Sequence, residues 1–271
     1  MMIKVLASSS RANCSYISDG KTALLLDAGL KLHDLRHRLG FQVSKLAAAL
    51  ITHSHDDHSR GVSDLVRTGI DCYMSQSTAS ELGQKGHRIH LVRPLKQLSI
   101  GSWTVLPFDN VHDVDCLGFL LATGPWKVLY LTDSGYCKYR FQGLTHIMLE
   151  VNHSAELLRQ AVASGAIPLA HKNRVMRNHM SLERALEFLR ANDLSRVEEI
   201  WLIHLSEQNS DQRRFKREIQ ELTGKMVFVA DQSGGRGTLA GAERCRSGVE
   251  EYGRGRKLRG RFGTMPGRGQ H

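Results

Sequence analysis

The stretch Thr52-His53-Ser54-His55-Asp56-Asp57-His58 places three histidines and two aspartates within six residues. It continues a short, mostly apolar run over residues 47–52, which is typical of a buried strand that feeds a loop. In an extended segment His53 and His55 project to the same side and can share one cation, whereas Asp57 and His58 can face a second cation as the chain turns. Neutral imidazole and carboxylate groups suit zinc, and also manganese or iron. The pattern therefore predicts a metal-binding loop rather than a set of solvated histidines.

Six residues of one loop cannot complete two coordination spheres, so further ligands must come from elsewhere in the chain. Three polar residues each follow an apolar run that is typical of a strand, namely His112, Asp133 and His204. Taken alone, each could be a surface residue that ends a strand. As a set that accompanies the histidine-rich loop, they are predicted to be ligands on adjacent loops at one edge of a sheet.

The order of the predicted elements indicates an α+β fold, or a layered α/β fold, with sheets buried between helices. Strands cluster first and then alternate with helices. The first two strands, over residues 2–7 and 23–27, are separated by a predicted polar loop from Ser8 to Asn13. Further strands are predicted over 47–52, 71–74, 89–92, 97–100, 103–108, 117–122, 127–132, 146–150, 200–204 and 226–230. Helices are predicted near 33–39, 59–68, 77–85, 154–164, 181–191 and 210–223, with Ser181 and Gly224 as caps.

The composition changes after Gln232. The 271-residue chain carries a net charge of +10, and residues 235–271 alone contribute nine Lys/Arg and three Asp/Glu, or +6. This Gly/Arg-rich segment has few large apolar residues to offset its chain entropy. We therefore predict a folded domain over residues 1–232 and a disordered basic tail over 233–271. The tail could attract phosphates without sequence preference, or it could be an unstructured extension.

Other features of the composition restrict the class of protein. No apolar stretch approaches the roughly 20 residues that span a bilayer, and the N-terminus does not have the pattern of a signal peptide. The five cysteines are scattered and form no CxxC pair, which argues against a disulfide framework. The expected protein is cytoplasmic and does not associate with membranes, and the sequence leaves its oligomeric state open.

The predicted ligands resemble the motifs of the metallo-β-lactamase fold. Asp27 in Leu26-Asp27-Ala28-Gly29 matches the structural aspartate of the first motif, and the histidine-rich loop matches the second. His112, Asp133 and His204 match the third, fourth and fifth. The resemblance implies an αββα sandwich with two divalent metal ions at one edge. One ion would be held by His53, His55 and His112, the other by Asp57, His58 and His204, and Asp133 would bridge them.

Four further segments resemble the bacterial YycJ/WalJ-type proteins, which are regarded as DNA exonucleases related to ribonuclease Z. The resemblance covers about residues 3–232 and rests on the Asn-Cys opening at 6–14, Glu-Val-Asn-His at 150–153, Asn-His-Met-Ser at 178–181 and His-Leu-Ser-Glu-Gln-Asn at 204–209. The chain departs from the group's pattern at four positions and keeps the metal set intact; the positions are Ser9, Ala12, Asn178 and Leu182.

The expected chemistry is hydrolysis by a hydroxide that two metal ions, about 3.5–4 Å apart, share and activate. Asp57 is predicted to orient this nucleophile or accept its proton, as well as to bind metal. His179 and His153 are the candidates for protonating the leaving oxygen. His179 precedes a predicted helix start at Ser181, where backbone N–H groups favour phosphate. Either histidine could instead be structural.

The substrate is predicted to be nucleic acid, most simply DNA, cleaved by a phosphodiesterase or nuclease. Lys172, Arg174 and Asn13 are the candidate substrate contacts, although the first two could equally belong to a solvated loop. Aromatic residues make up 6% of the chain, so no long platform for stacking bases is predicted. Two alternatives stay open: hydrolysis of a thioester, lactone or similar small substrate at the same site, and a non-catalytic nucleic-acid-binding protein.

Overall fold

Two mixed β-sheets face each other between layers of helices in a computed structural model that describes residues 1–230. The predicted basic tail, residues 233–271, and the boundary after Gln232 lie outside the described residues.

The first sheet has six strands in the order β1-β2-β3-β4-β5-β6. Its strands are β1 (Met2–Ser9), β2 (Ala12–Ser18), β3 (Ala23–Leu26), β4 (Leu46–Leu50), β5 (Asp71–Met74) and β6 (Ile89–Leu91). The first three pair antiparallel, and β3 through β6 pair parallel.

The polar loop predicted from Ser8 to Asn13 is wrong, because β1 and β2 form a tight hairpin there. Ser8, Ser9 and Asn13 are buried although they are polar. Their polar groups are paired: the Ser8 hydroxyl accepts a hydrogen bond from the backbone N–H of His204 at 2.7 Å, and the Asn13 amide donates to the Ser9 carbonyl at 2.9 Å. Paired hydroxyl and amide groups can be buried at small cost, and hydropathy alone does not reveal such a strand.

The second sheet has seven strands in the order β13-β12-β11-β10-β9-β8-β7. Its strands are β7 (Leu98–Ile100), β8 (Trp103–Asp109), β9 (Leu117–Thr123), β10 (Trp126–Leu131), β11 (His146–Glu150), β12 (Glu199–Ile203) and β13 (Met226–Val229). Strands β7 to β10 pair antiparallel and β10 to β13 pair parallel.

Eight helices occur among the described residues: α1 (Leu32–Arg38), α2 (Asp56–Ser59), α3 (Val62–Arg67), α4 (Gln76–Glu81), α5 (Ala155–Ala163), α6 (Leu169–Asn178), α7 (Leu182–Arg190) and α8 (Gln212–Thr223). Ser181 caps α7 by accepting from the backbone N–H of Arg184, and Gly224 ends α8 with φ 64°, as predicted. Helix α6 was not predicted, because only Val175 and Asn178 of its ten residues are buried and its apolar period is weak.

The core follows from the alternation of side chains along the strands. Leu24 and Leu26 of β3 pack with Val128 and Tyr130 of β10 in a cluster between the sheets. Leu25 of β3 packs instead in a cluster with residues of α1, α3 and α4. Leu129 and Leu131 of β10 pack in a cluster with residues of α7 and α8. This arrangement confirms the predicted αββα sandwich.

Two further expectations concern cysteines and membranes. Cys14, Cys72, Cys116 and Cys137 are free thiols, in agreement with their scattered spacing, and Cys245 lies outside the described residues. Among residues 1–230, every helix is too short or too polar to cross a bilayer.

Candidate metal centre

The ends of parallel strands bring the predicted ligands together. Strands β3 and β4 run parallel in the first sheet, and Asp27 and His53 follow their carboxyl ends. Strands β10 and β12 both run parallel to β11 in the second sheet, and Asp133 and His204 follow their ends. Because parallel strands end at the same edge of a sheet, loops from both sheets can meet there.

The first ligand group consists of His53, His55 and His112, whose nitrogen atoms lie within 4.8 Å of one another. His112 Nε2 is 3.3 Å from His55 Nδ1. His53 is buried, and its Nε2 has no hydrogen-bond partner. Burial, reinforced by the nearby His58, lowers the pKa of His53 well below its usual value. Its imidazole is therefore neutral, which is the form that binds metal.

The second ligand group consists of Asp57, His58 and His204. Asp57 Oδ2 lies 3.4 Å from His58 Nε2 and 3.5 Å from His204 Nε2, and His204 Nε2 is a second buried nitrogen without a partner. Burial alone would raise the pKa of Asp57, but the nearby imidazoles of His204 and His58 outweigh it and lower that pKa far below its usual value. Asp57 is accordingly a carboxylate at neutral pH.

Asp133 lies between the two groups. Its Oδ2 is 2.6 Å from His58 Nε2, and it forms a further ligand group with His53 and His58. Its other oxygen, Oδ1, is 3.5 Å from His204 Nδ1. Burial opposes ionisation of this side chain, yet His204 and His58 hold its pKa well below the usual range. The Asp133 carboxylate thus contacts His58 of the second ligand group and lies near His53 of the first.

Asp27 supports the centre from behind. Its Oδ1 accepts hydrogen bonds from the backbone N–H and the hydroxyl of Thr52, both at 2.8 Å. Its Oδ2 accepts from His58 Nδ1 and from the Tyr130 hydroxyl, also at 2.8 Å. Because Nδ1 of His58 is committed to Asp27, Nε2 is the atom directed at the ligands. Asp27 thus lies directly behind the second ligand group, and Tyr130 is a contributor that the prediction missed.

Three residues of the centre have the left-handed backbone conformation that favours glycine. Asp27, Asp133 and His204 have φ values of 60°, 45° and 53°. Each costs on the order of 1–2 kcal/mol. All three directly follow a strand or lie within two residues of its end, and the bend brings each side chain into contact with a member of the second ligand group. The hydrogen bonds and ion pairs of these side chains hold the strained conformation.

Glu150 is a site residue that the sequence prediction missed. It is fully buried, and its Oε1 lies 2.7 Å from His179 Nδ1 and 3.0 Å from His204 Nδ1. Its Oε2 accepts from the backbone N–H groups of Ser134 and Met180. One signal was available in the sequence: Glu150 ends β11, just as the predicted ligands follow neighbouring strands.

His179 lies beside this buried acid. Its Nδ1 is also 3.0 Å from Asp133 Oδ1, and its side chain is 23% exposed. Burial disfavours the imidazolium, but Glu150 and Asp133 outweigh it and raise the pKa of His179 to about 11. His179, Glu150, Asp133 and His204 together form a fourth potential ligand group.

The residues present fit divalent cations. All seven predicted ligands belong to the groups described above, and His53 and His204 each direct a buried, unpartnered nitrogen into them. Imidazole and carboxylate donors of this kind bind zinc, manganese or iron, whereas an unpartnered buried nitrogen is otherwise unfavourable.

Comparisons with known proteins identify the family of the chain. A family model described as "Beta-lactamase superfamily domain" matches residues 22–205, a range that includes Asp27, the histidine-rich loop and His204. The chain belongs to the beta-lactamase superfamily. It is 31% identical over 224 residues to "Exodeoxyribonuclease WalJ" of Streptococcus pneumoniae, covering 76% of this chain and 82% of that protein. It is 25% identical over 246 residues to "Exodeoxyribonuclease YycJ" of Bacillus anthracis, covering 83% and 89%.

The fold also matches that of a known crystal structure. The metallo-beta-lactamase fold protein YhfI from Bacillus subtilis matches with a TM-score of 0.65 at 17% identity, over 85% of this chain and 96% of that one. The predicted resemblance to the metallo-β-lactamase fold and to the YycJ/WalJ-type proteins is thus confirmed. The chain is a metal-dependent hydrolase of this fold.

The remaining predicted site residues have different positions. Asn13 Nδ2 lies 3.0 Å from Asp57 Oδ2 and 2.9 Å from His58 Nε2, so this amide contacts two residues of the second ligand group. His153 is buried with an unpartnered Nδ1, and burial lowers its pKa to about 4. In the part of the chain that the structure describes, His153 belongs to none of the four ligand groups.

The two candidate basic residues lie on a helix and not on a solvated loop. Lys172 is half-buried and Arg174 is exposed, and both belong to α6, which ends immediately before His179. Helix α6 therefore links Lys172 and Arg174 covalently to His179, at the edge of the metal centre. Their role in binding substrate stays a prediction.

Proposed function

We propose that this hydrolase is a dinuclear metal-dependent nuclease that cleaves phosphodiester bonds in DNA. The observation that carries the proposal is the pair of adjacent ligand groups on either side of Asp133, with His179 beside them. The names of the two exodeoxyribonuclease relatives support DNA as the substrate class. Bound divalent ions, zinc or manganese or iron, would activate water and offset charge on the phosphate oxygens.

Asp57 is proposed to orient the attacking water. The side chain is ionised and faces both imidazoles of the second group, and it is 22% exposed. A carboxylate that is partly accessible and fixed by two contacts can accept a hydrogen bond from water on its open side. It would also be the first acceptor for the proton that the water loses.

His179 is proposed to donate a proton to the leaving oxygen. Its Nδ1 is held by Glu150 and Asp133, which leaves Nε2 as the nitrogen that can meet a substrate. The two carboxylates favour the charged, proton-carrying form. His153 is the weaker candidate for this role, because its pKa of about 4 keeps it unprotonated at neutral pH. Lys172, Arg174 and Asn13 are proposed to position the phosphodiester backbone.

The test compares two neighbouring aspartates. Asp57 lies in the second ligand group, whereas the adjacent Asp56 is exposed and pairs with Arg60. End-labelled single- and double-stranded DNA and RNA would be incubated with wild type, Asp57→Asn and Asp56→Asn in manganese or zinc. We expect Asp57→Asn to slow cleavage at least about 100-fold and Asp56→Asn to retain near-wild-type activity.

Three outcomes would contradict the proposal. If metal-loaded wild type cuts no phosphodiester but hydrolyses a thioester or lactone, the small-substrate alternative is correct. If it binds DNA without turnover of any substrate, the protein is a non-catalytic binder. If Asp57→Asn and Asp56→Asn lose activity equally, Asp57 has no special part in the reaction.

A further inference from the structure

Two of the three histidines in the first ligand group have one ring nitrogen fixed by a protein oxygen. His53 Nδ1 lies 2.9 Å from the hydroxyl oxygen of Thr52, which itself donates to Asp27. His112 Nδ1 lies 3.0 Å from the backbone carbonyl of Asn178. In both rings this contact places the hydrogen on Nδ1 and leaves the lone pair of Nε2 directed at the group.

The third histidine of the first ligand group, His55, lies beside a carboxylate, that of Asp113. Its Nδ1 faces the group, 3.3 Å from His112 Nε2, and its Nε2 lies 3.5 Å from Asp113 Oδ1. The same carboxylate oxygen is 3.2 Å from His112 Nε2. The side chains of His55 and Asp113 are 40% and 43% exposed, so they form the solvent side of a group whose other members are buried. Solvent exposure leaves His55 the least constrained of the three imidazoles.

Asn178 holds the Asp113 carboxylate in place. Its side-chain amide donates to Asp113 Oδ2 at 2.7 Å, which turns Oδ1 toward the two imidazoles. Asn178 is buried at the end of α6, and its backbone carbonyl is the one that fixes His112. A single residue of α6 therefore orients His112 directly and His55 through Asp113.

We propose that Asp113, held by the amide of Asn178, is a positioning residue that fixes His55 for metal binding in the first ligand group. Within residues 1–230 Asp113 belongs to none of the four ligand groups, so it acts through imidazole and not as a ligand. A carboxylate beside the far nitrogen of a metal-binding histidine orients the ring and makes its other nitrogen a stronger donor. The inference rests on the proposed metal site but not on the choice of DNA as substrate.

The experiment measures metal affinity in the absence of substrate. Asp113→Asn would be compared with Asp115→Asn, an equal change of charge at an exposed residue of the same loop. Zinc affinity would be measured by competition with a chromophoric chelator, and the visible absorption of the cobalt form would report the coordination geometry. We expect Asp113→Asn to weaken binding of one ion about 10- to 100-fold and to alter the cobalt spectrum. Asp115→Asn should match wild type.

A second pair of variants tests the part played by Asn178. Asn178→Ala keeps the carbonyl that contacts His112 and removes only the amide, so we expect a loss of a few-fold in zinc affinity. The double variant Asp113→Asn/Asn178→Ala should bind no more weakly than Asp113→Asn alone, because the amide acts through the carboxylate. Asp113→Glu should restore part of the affinity.

The metal-free unfolding midpoint distinguishes positioning from misfolding. We expect it to be unchanged in Asp113→Asn, because this side chain is half-exposed. Equal zinc affinities of Asp113→Asn and Asp115→Asn, or additive losses in the double variant, would overturn the proposal. Failure of the protein to cleave DNA would leave these affinities unaffected and would count only against the nuclease function.

Discussion

Glu150→Gln is the substitution that tests most directly how the centre is held together. Gln has nearly the same shape as Glu and can still accept hydrogen bonds through one oxygen from the N–H groups of Ser134 and Met180. In wild type the other carboxylate oxygen accepts hydrogen bonds from the imidazoles of His179 and His204. In the variant this position is an amide NH2 group, which cannot accept them. The substitution therefore removes two charge-assisted contacts and keeps the volume.

The magnitude follows from burial. Glu150 is 0% exposed, so solvent cannot replace the lost contacts. Removing one partner of a buried, hydrogen-bonded ion pair typically costs about 3–5 kcal/mol. We expect the free energy of unfolding of the metal-free protein to fall by about that amount. Nuclease turnover should fall by about 100-fold or more, because His179 loses the partner that orients it and favours its protonated form.

The assay is urea unfolding followed by tryptophan fluorescence, with Glu221→Gln as the matched control. Glu221 is exposed on α8 and lies 4.0 Å from Arg217, a surface pair that contributes little. Its substitution should change the free energy of unfolding by less than about 0.5 kcal/mol. If Glu150→Gln behaves like this control in both stability and turnover, the reasoning about the buried acid is wrong.

Three other substitutions follow from particular contacts. Tyr130→Phe removes the hydroxyl that donates to buried Asp27, and should lower the free energy of unfolding by about 1–2 kcal/mol, measured by urea titration; no change would mean that the contact is dispensable. Gly29→Ala would place a methyl 1.8 Å from the backbone carbonyl oxygen of Asp57, and should reduce both the melting temperature and the zinc affinity of the second ligand group, whereas wild-type values would refute the close approach. Burial lowers the pKa of His146 to about 4, so the unfolded state, with a pKa near 6.5, takes up the proton first as the pH falls. This residue's contribution of about 3 kcal/mol is present above about pH 6.5 and is lost toward pH 4, and His146→Gln should flatten the pH dependence of the free energy of unfolding in that range; parallel curves for the two proteins would contradict this.

The ligand loop and the strand ends could be predicted because each carries a local signal. A polar residue of metal-binding type that interrupts or ends an apolar run is visible without any knowledge of distant contacts, as for His53, Asp133 and His204. The fold supplies the rest of the geometry, since parallel strands deliver such residues to one edge. This is why the predicted ligands lie together in the structure.

The residues that the prediction missed act through partners that are far away in sequence. Tyr130 reads as an ordinary core residue of β10, and its bond to Asp27 spans 103 positions. The bond between Asn178 and Asp113 spans 65 positions and depends on α6, a helix with too weak an apolar period to be predicted. Such contacts are decided by how helices and loops pack against the sheets, and local sequence carries no record of them.

The ligands come from both halves of the sandwich. The histidine-rich loop follows β4 of the first sheet, whereas His112, Asp133 and His204 follow strands of the second. Metal ions held by these ligands would link the loops of the first sheet to those of the second. Their binding energy would then belong to the stability of the whole protein, about 4 kcal/mol at a thousandfold excess of metal over its dissociation constant. Chelation should accordingly lower the free energy of unfolding of the whole protein and make it more susceptible to proteases.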